Sequence, residues 1–179
     1  MPDYEFTPIV DPQGRVAGKK SRKECHSNPD LVHPVVHCWI FNKQGQVLMQ
    51  QRSFTKETHP GVWDMSCGGH VIDGEDYGEN YINVLKRELL EELGVDGVYP
   101  VFVKKYIHHQ SDQTEMVYLY YADLDISESD FVLNHETEQV KWFNIPEAQE
   151  SYLHKKLNST EYIIYQVATI LVFRSFNNS

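Results

Sequence analysis

Cysteine is scarce in this 179-residue chain: Cys25, Cys38 and Cys67 are odd in number and share no close-paired spacing. That argues against a disulfide framework and against a zinc ribbon, and leaves reduced thiols as the expectation. No apolar run approaches the roughly 20 residues needed to span a bilayer. The opening Met1-Pro2-Asp3-Tyr4-Glu5 lacks the basic and apolar regions of a secretory leader, so the expected location is cytoplasmic, away from membranes. Positive charge is also short. Sixteen Lys and Arg against 26 Asp and Glu leave a formal charge of -10, which opposes nucleic-acid binding and requires cations to bring in any anionic substrate. Internal repeats and Gly-, Ser- or Pro-rich linkers are missing too. With 41% hydrophobic and 23% charged residues, the expectation is one globular domain over residues 1–179.

Residues 5–20 read as a β-hairpin around the turn Asp11-Pro12-Gln13-Gly14. Val35 to Phe41 and Val47 to Gln51 read as a second, central hairpin around Asn42-Lys43-Gln44-Gly45. A polar loop from Ser53 to Pro60 leads through Gly61 to Ser66 into the pair Gly68-Gly69. From Glu79 to Leu93 the period becomes helical, with Ile82, Leu85, Leu89 and Leu93 on one face and Gly94 as the C-terminal cap. Strands follow at Val101 to His108, Met116 to Leu124 and Val140 to Phe143. The stretch 146–176 reads as a short helix and then a longer apolar one, a candidate surface for homodimer formation. The fold class expected is α/β (α+β), an α/β/α sandwich with a mixed sheet.

Residues three and four apart share a helix face, so Glu88, Glu91 and Glu92 gather three carboxylates in a small volume, expected opposite the leucine stripe. Only Lys86 and Arg87 offset them. A hard divalent cation would relieve the repulsion and leave coordination sites for phosphate and water. From spacing alone, a solvated charged face and a metal site both stay open.

The stretch Gly78-Glu79-Asn80-Tyr81-Ile82-Asn83-Val84-Leu85-Lys86-Arg87-Glu88-Leu89-Leu90-Glu91-Glu92-Leu93-Gly94-Val95 resembles the Nudix box, here spanning about residues 69–95. It departs from the family pattern at its start, where Gly69 and Glu79 are separated by nine residues, not five. Glu75 keeps the spacing from Gly69; Glu79 keeps the seven residues before Arg87. The expectation is Glu79, with a longer loop bulging before it, because a loop absorbs an insertion more cheaply than a helix in register. The resemblance implies a magnesium-dependent hydrolase (manganese as the substitute ion) that cleaves a phosphate anhydride in a small diphosphate. It implies Glu91 and Glu92 as ligands, Glu88 as ligand or base, Glu79 and the Gly69 carbonyl as further ligands, and Arg87 orienting the carboxylates. Glu136 and Glu138 are candidates for a loop base.

Further stretches resemble the Nudix branch that includes isopentenyl-diphosphate isomerase: His26 and His33, Trp39-Ile40-Phe41-Asn42, Arg52 with Lys56, Pro60-Gly61-Val62-Trp63, and Gly69-His70. This implies a second divalent metal at His26, His33, His70 and Glu115, with Gln113 where the fifth ligand is Glu in the isomerase. Nitrogens sharing one ion at about 2.0–2.1 Å per bond would lie within about 4 Å of one another. Arg52 and Lys56 are implied to hold the diphosphate. Where the isomerase places a proton-moving cysteine, this chain has Gly68; Cys67 comes one residue too early and should face the other way. Hydrolysis is therefore expected over isomerisation of a prenyl diphosphate, and a non-catalytic binding domain is the third reading.

Overall fold

The computed structural model describes residues 5–56, 59–153 and 162–177. The first hairpin forms as expected, β1 (Phe6–Val10) against β2 (Val16–Ser21), followed by one turn of helix, α1 (Arg22–Cys25). The remaining strands are β3 (Val32–Phe41), β4 (Gln46–Arg52), β5 (Trp63–Asp64), β6 (Cys67–His70), β7 (Val101–His109), β8 (Thr114–Asp123) and β9 (Thr137–Asn144), all in one mixed sheet. Three further helices are α2 (Ile82–Leu93), α3 (Ile145–Leu153) and α4 (Tyr162–Asn177).

β3 is central, and nearly all of it is buried because both its faces are covered. Even-numbered residues Val36, Cys38 and Ile40 pack with Val84, Leu85, Leu89 and Leu93 of α2. Odd-numbered Trp39 and Phe41 pack with Ala148, Val167 and Ile170 of α3 and α4. Fully burying each α2 leucine of that stripe contributes about 1.5–3 kcal/mol. Gln166 fastens α4 to the sheet: its Oε1 accepts from Trp39 Nε1 at 2.7 Å, and its Nε2 lies 2.8 Å from both His37 Nδ1 and the Tyr106 hydroxyl.

Two expectations are corrected. β3 and β4 are not a laddered hairpin: their register has one pair, Phe41↔Val47, beyond which β3 pairs with β6 and, in parallel, β8, while β4 pairs with β5 and β9. The glycine pair Gly68-Gly69 lies within β6. The α-helix starts at Ile82, not Glu79, because Asn80 and Tyr81 adopt left-handed φ of 51° and 63° and break the segment. Gly94 caps the C-terminus as expected, at φ 66°.

Candidate active site

The acidic cluster lies where α2 passes beneath β6. Register sets it up: Gly69 and Cys67 turn one face of β6 toward α2, and Gly68 and His70 the other. A Cβ at position 69 would overlap the Glu88 carboxyl, so only glycine allows the helix this close. Glu88 and Glu92 consequently do not lie opposite the leucine stripe. They continue the buried row begun by Val84, beside Leu85, Leu89 and Leu93, and only about 9% and 8% of each residue is exposed. Glu91 alone of the three stands in solvent.

Arg87 organises the group. Its Nε donates to Glu75 at 3.0 Å, its Nη1 lies 2.9 Å from Glu88 and 3.0 Å from Glu91, and its Nη2 donates to the His70 carbonyl at 3.1 Å. Burial opposes the guanidinium charge, but Glu88, Glu75 and Glu91 outweigh it and hold Arg87 more basic than usual. Glu79 is exposed in the short turn before α2, so the expectation that it stands beside Arg87 is corrected: Glu75 does. The extra residues fall between Glu75 and the helix. The signal for this was present in the five-residue spacing from Gly69 to Glu75.

Burial, with the Glu92 charge adding to it, pushes Glu88 up to about 8 despite Arg87. Burial likewise raises Glu92 to about 7, against hydrogen bonds from Cys67, Gln50 and the Gly68 amide. Gln50 Nε2 donates to Glu92 at 3.1 Å while its Oε1 accepts from Thr137 at 2.6 Å. Sequence reasoning missed Gln50, although a glutamine following Val47-Leu48-Met49 is an inward polar position in a buried strand. Glu136 lies close enough for its charge to act on Glu92. Its carboxylate is 2.7 Å from Lys56 Nζ, and this ion pair, outweighing burial, lowers its pKa. Glu138 is exposed on β9. Arg52 Nη1 lies 3.7 Å from Asp64.

On the other face of β6, His26, His33 and His70 converge: one ring nitrogen from each lies within 4.8 Å of the others, the closest pair being His26 Nε2 and His70 Nε2 at 2.9 Å. A shared ion would hold such nitrogens within roughly 4 Å of one another. Burial, aided by the His26 charge, pulls His33 down to about 4, and neither of its ring nitrogens has a partner in hydrogen-bond geometry, although the nearby Leu31 carbonyl favours the protonated ring. Glu115 does not join the trio. It pairs in register with His33 on the parallel neighbour β8, and its carboxylate accepts from Gln110 at 3.4 Å. Gln113 Nε2 donates to Gln110 at 3.2 Å. Cys67 is fully buried on the α2 face, with its thiol pushed far up by burial and then by Glu92 and Glu88. Gly68 takes the histidine face, opposite His37.

A mixed sheet between α2 and α3–α4, with the glutamate row of one helix lodged under a glycine pair, defines a recognisable class. The chain belongs to the Nudix family, whose NUDIX domain profile matches residues 31–166. Among curated relatives it is 38% identical over 97 residues to an uncharacterized Nudix hydrolase of Clostridium acetobutylicum, covering 52% of this chain and 44% of that one. It is 36% identical over 99 residues to the isopentenyl-diphosphate Delta-isomerase of Citrobacter koseri, covering 55% of each. The matches thus span about half the length of these relatives. The fold is shared with a solved structure from Deinococcus radiodurans at TM-score 0.72 and 23% identity, covering 89% of this chain and 94% of the other. It is also shared with the Nudix domain of a Shewanella oneidensis protein solved with ADP ribose, at TM-score 0.60 and 15% identity, covering 76% and 84%. Among the described residues, no helix is long and apolar enough to cross a membrane.

Proposed function

We propose that this chain hydrolyses a phosphate anhydride in a small diphosphate, with a divalent cation, magnesium by preference, held by Glu88, Glu91, Glu92 and the Gly69 carbonyl. The observation that carries the reading is the pair of buried carboxylates, Glu88 and Glu92, packed against β6 at Gly69, where a Cβ would overlap the Glu88 carboxyl. Their donor chemistry suits a hard cation: oxygen ligands only, in a site where burial penalises the charged form until positive charge arrives. When bound, such an ion polarises the bridging phosphates and lowers the pKa of a bound water.

The protein's own groups do the remaining work. Arg87, braced by Glu75, holds Glu88 and Glu91 in register and ties α2 to β6 through the His70 carbonyl. Gln50 fixes the Glu92 carboxylate, and Lys56 with Arg52 supplies cationic contacts for the diphosphate. Glu136, released from Lys56 when phosphate takes the ammonium, would serve as the base that accepts the proton of the attacking water, a role supported by its charge acting on Glu92. Isomerase chemistry is disfavoured by Cys67, whose buried thiol is spent on Glu92 and faces away from the histidine side.

His26, His33 and His70 form a second candidate centre for a divalent metal of borderline softness. The supporting observation is His33, whose two buried nitrogens have no hydrogen-bond partner. Metal analysis of untagged protein, with His33→Ala as control, tests it. Self-association through α4, where Tyr165, Val172 and Phe176 are exposed, belongs to the same reading and is checked by mass measurement in solution.

The deciding experiment is a panel of dinucleoside, nucleotide-sugar, nucleoside triphosphate and prenyl diphosphates with magnesium. Phosphate or monophosphate release, lost in Glu91→Gln and Glu92→Gln variants that keep the wild-type circular dichroism, is the expected result. Proton exchange in a prenyl diphosphate without phosphate release would overturn it. Ligand binding with no turnover in the wild type would favour the non-catalytic domain.

A further inference from the structure

Thr137 opens β9, and an irregularity in the ladder decides where it points. β9 pairs with β4 in regular antiparallel steps from Gln46↔Asn144 to Gln51↔Gln139, after which Arg52 faces Thr137 and Glu138 has no opposite residue. Unbroken alternation would put Thr137 on the face of Gln139, away from Gln50. The bulge turns it onto the face of Gln50 instead, and both residues are buried there. The main chain is held on either side of this turn: the Thr137 amide donates to the Asn134 carbonyl at 3.4 Å, and the Glu136 carbonyl accepts from the Ser53 amide at 2.8 Å.

A chain of buried hydrogen bonds starts at this hydroxyl. Thr137 Oγ1 donates to Gln50 Oε1 at 2.6 Å, and Gln50 Nε2 donates to Glu92 Oε2 at 3.1 Å. A glutamine amide has a donating and an accepting end, and either could be turned on the carboxylate. With Oε1 toward Glu92, two acceptors would oppose each other away from water, which is costly. The threonine decides the matter. With its proton on Oε1, only the NH2 group is left to face Glu92.

We infer that Thr137 is a positioning residue of the acidic site: it fixes the sense of the Gln50 amide and, through it, the orientation of the Glu92 carboxylate toward a divalent cation. This rests on the reading that Glu92 is a cation ligand, and it adds a residue that acts on the cation only through Gln50. Cation affinity is the property at stake, because a ligand already held in place gives up less freedom when the ion arrives.

The test is calorimetric titration of the full chain with magnesium. Thr137→Val, close in shape but without the hydroxyl, should weaken binding about five- to tenfold, and so should the smaller Thr137→Ala. Thr137→Ser keeps the hydroxyl and should bind within about twofold of the wild type. The valine effect should vanish in a Gln50→Met background, where no amide remains to be turned. Equal affinity of wild type, Thr137→Val and Thr137→Ala overturns the proposal. So does a serine variant no better than valine, or a full valine loss added to that of Gln50→Met, since either marks a packing role. Magnesium binding that Glu92→Gln leaves unchanged overturns it as well. Failure of the hydrolase reading looks different: the Thr137 dependence of magnesium binding persists while no member of the diphosphate panel releases product.

Discussion

Replacing Glu75 with Gln removes the carboxylate that Arg87 Nε meets at 3.0 Å, with side chains 26% and 21% exposed. Hydrogen bonds to charged groups contribute about 1.5–3 kcal/mol, and this partly exposed pair is discounted toward the low end by solvent screening. Glu88 and Glu91 remain to hold the guanidinium, so the folding loss should be about 1 kcal/mol, read as a lower urea midpoint with unchanged slope. Turnover should suffer more. An Arg87 no longer held from the loop side is free to swing toward Glu91, and a misplacement costing about 1.4–3 kcal/mol in the transition state lowers kcat roughly 10- to 100-fold. Glu79→Gln, at an exposed turn position, should stay within about 0.5 kcal/mol and leave turnover unchanged. Matched kinetics and urea curves on the two variants check this. If Glu79→Gln is the damaging change and Glu75→Gln the silent one, the assignment of the Arg87 partner is refuted.

Gly69→Ala should cost about 1–3 kcal/mol and most activity, since the added methyl overlaps the Glu88 carboxyl; a thermal melt with a parallel rate assay reads both. Metal-free protein should lose stability as pH rises from about 5 to 8. The folded values of Glu88 and Glu92, about 8 and 7, lie above their ordinary value of 4.5, so the folded state holds protons that the unfolded state has released. Magnesium should reverse that trend, giving a melting-temperature gain larger at pH 8 than at pH 5.5; a gain independent of pH would count against these carboxylates as ligands. Cys67→Ala should leave turnover within about threefold, because the thiol only donates to Glu92 and faces away from the histidine trio; a near-complete loss in steady-state assays would reopen isomerase chemistry.

Much of the site was legible because it is local. The row Glu88, Glu91, Glu92 and the cap Gly94 are set by helical periodicity and by a glycine at positive φ, both written in consecutive residues. Gln50 and Glu75 were less legible, since their roles depend on which strand lies beside which. β3 has apolar residues on both faces and could pair with any neighbour; that it takes β6 and β8 and leaves β4 after Phe41 is a tertiary choice. The histidines converge because His26 follows α1, His33 is the second residue of β3 and His70 ends β6, and periodicity in one segment cannot register that meeting. Glu115 illustrates the limit: it pairs in register with His33 in the sheet, yet it stands outside the group in which the three histidines gather.

The two left-handed residues ahead of α2 also bear on how such a protein can change over evolutionary time. Each residue added within an α-helix turns everything beyond it by about 100°, so four would leave the downstream glutamates about 40° out of alignment. Asn80 and Tyr81 act as a swivel between loop and helix, and the Asn80 carbonyl is held in place by the Tyr120 hydroxyl at 2.8 Å. Length can then vary between Glu75 and Ile82 without any rotation reaching Glu88 or Glu92. The segment between them is a place where insertions can be tried with the acidic row left undisturbed.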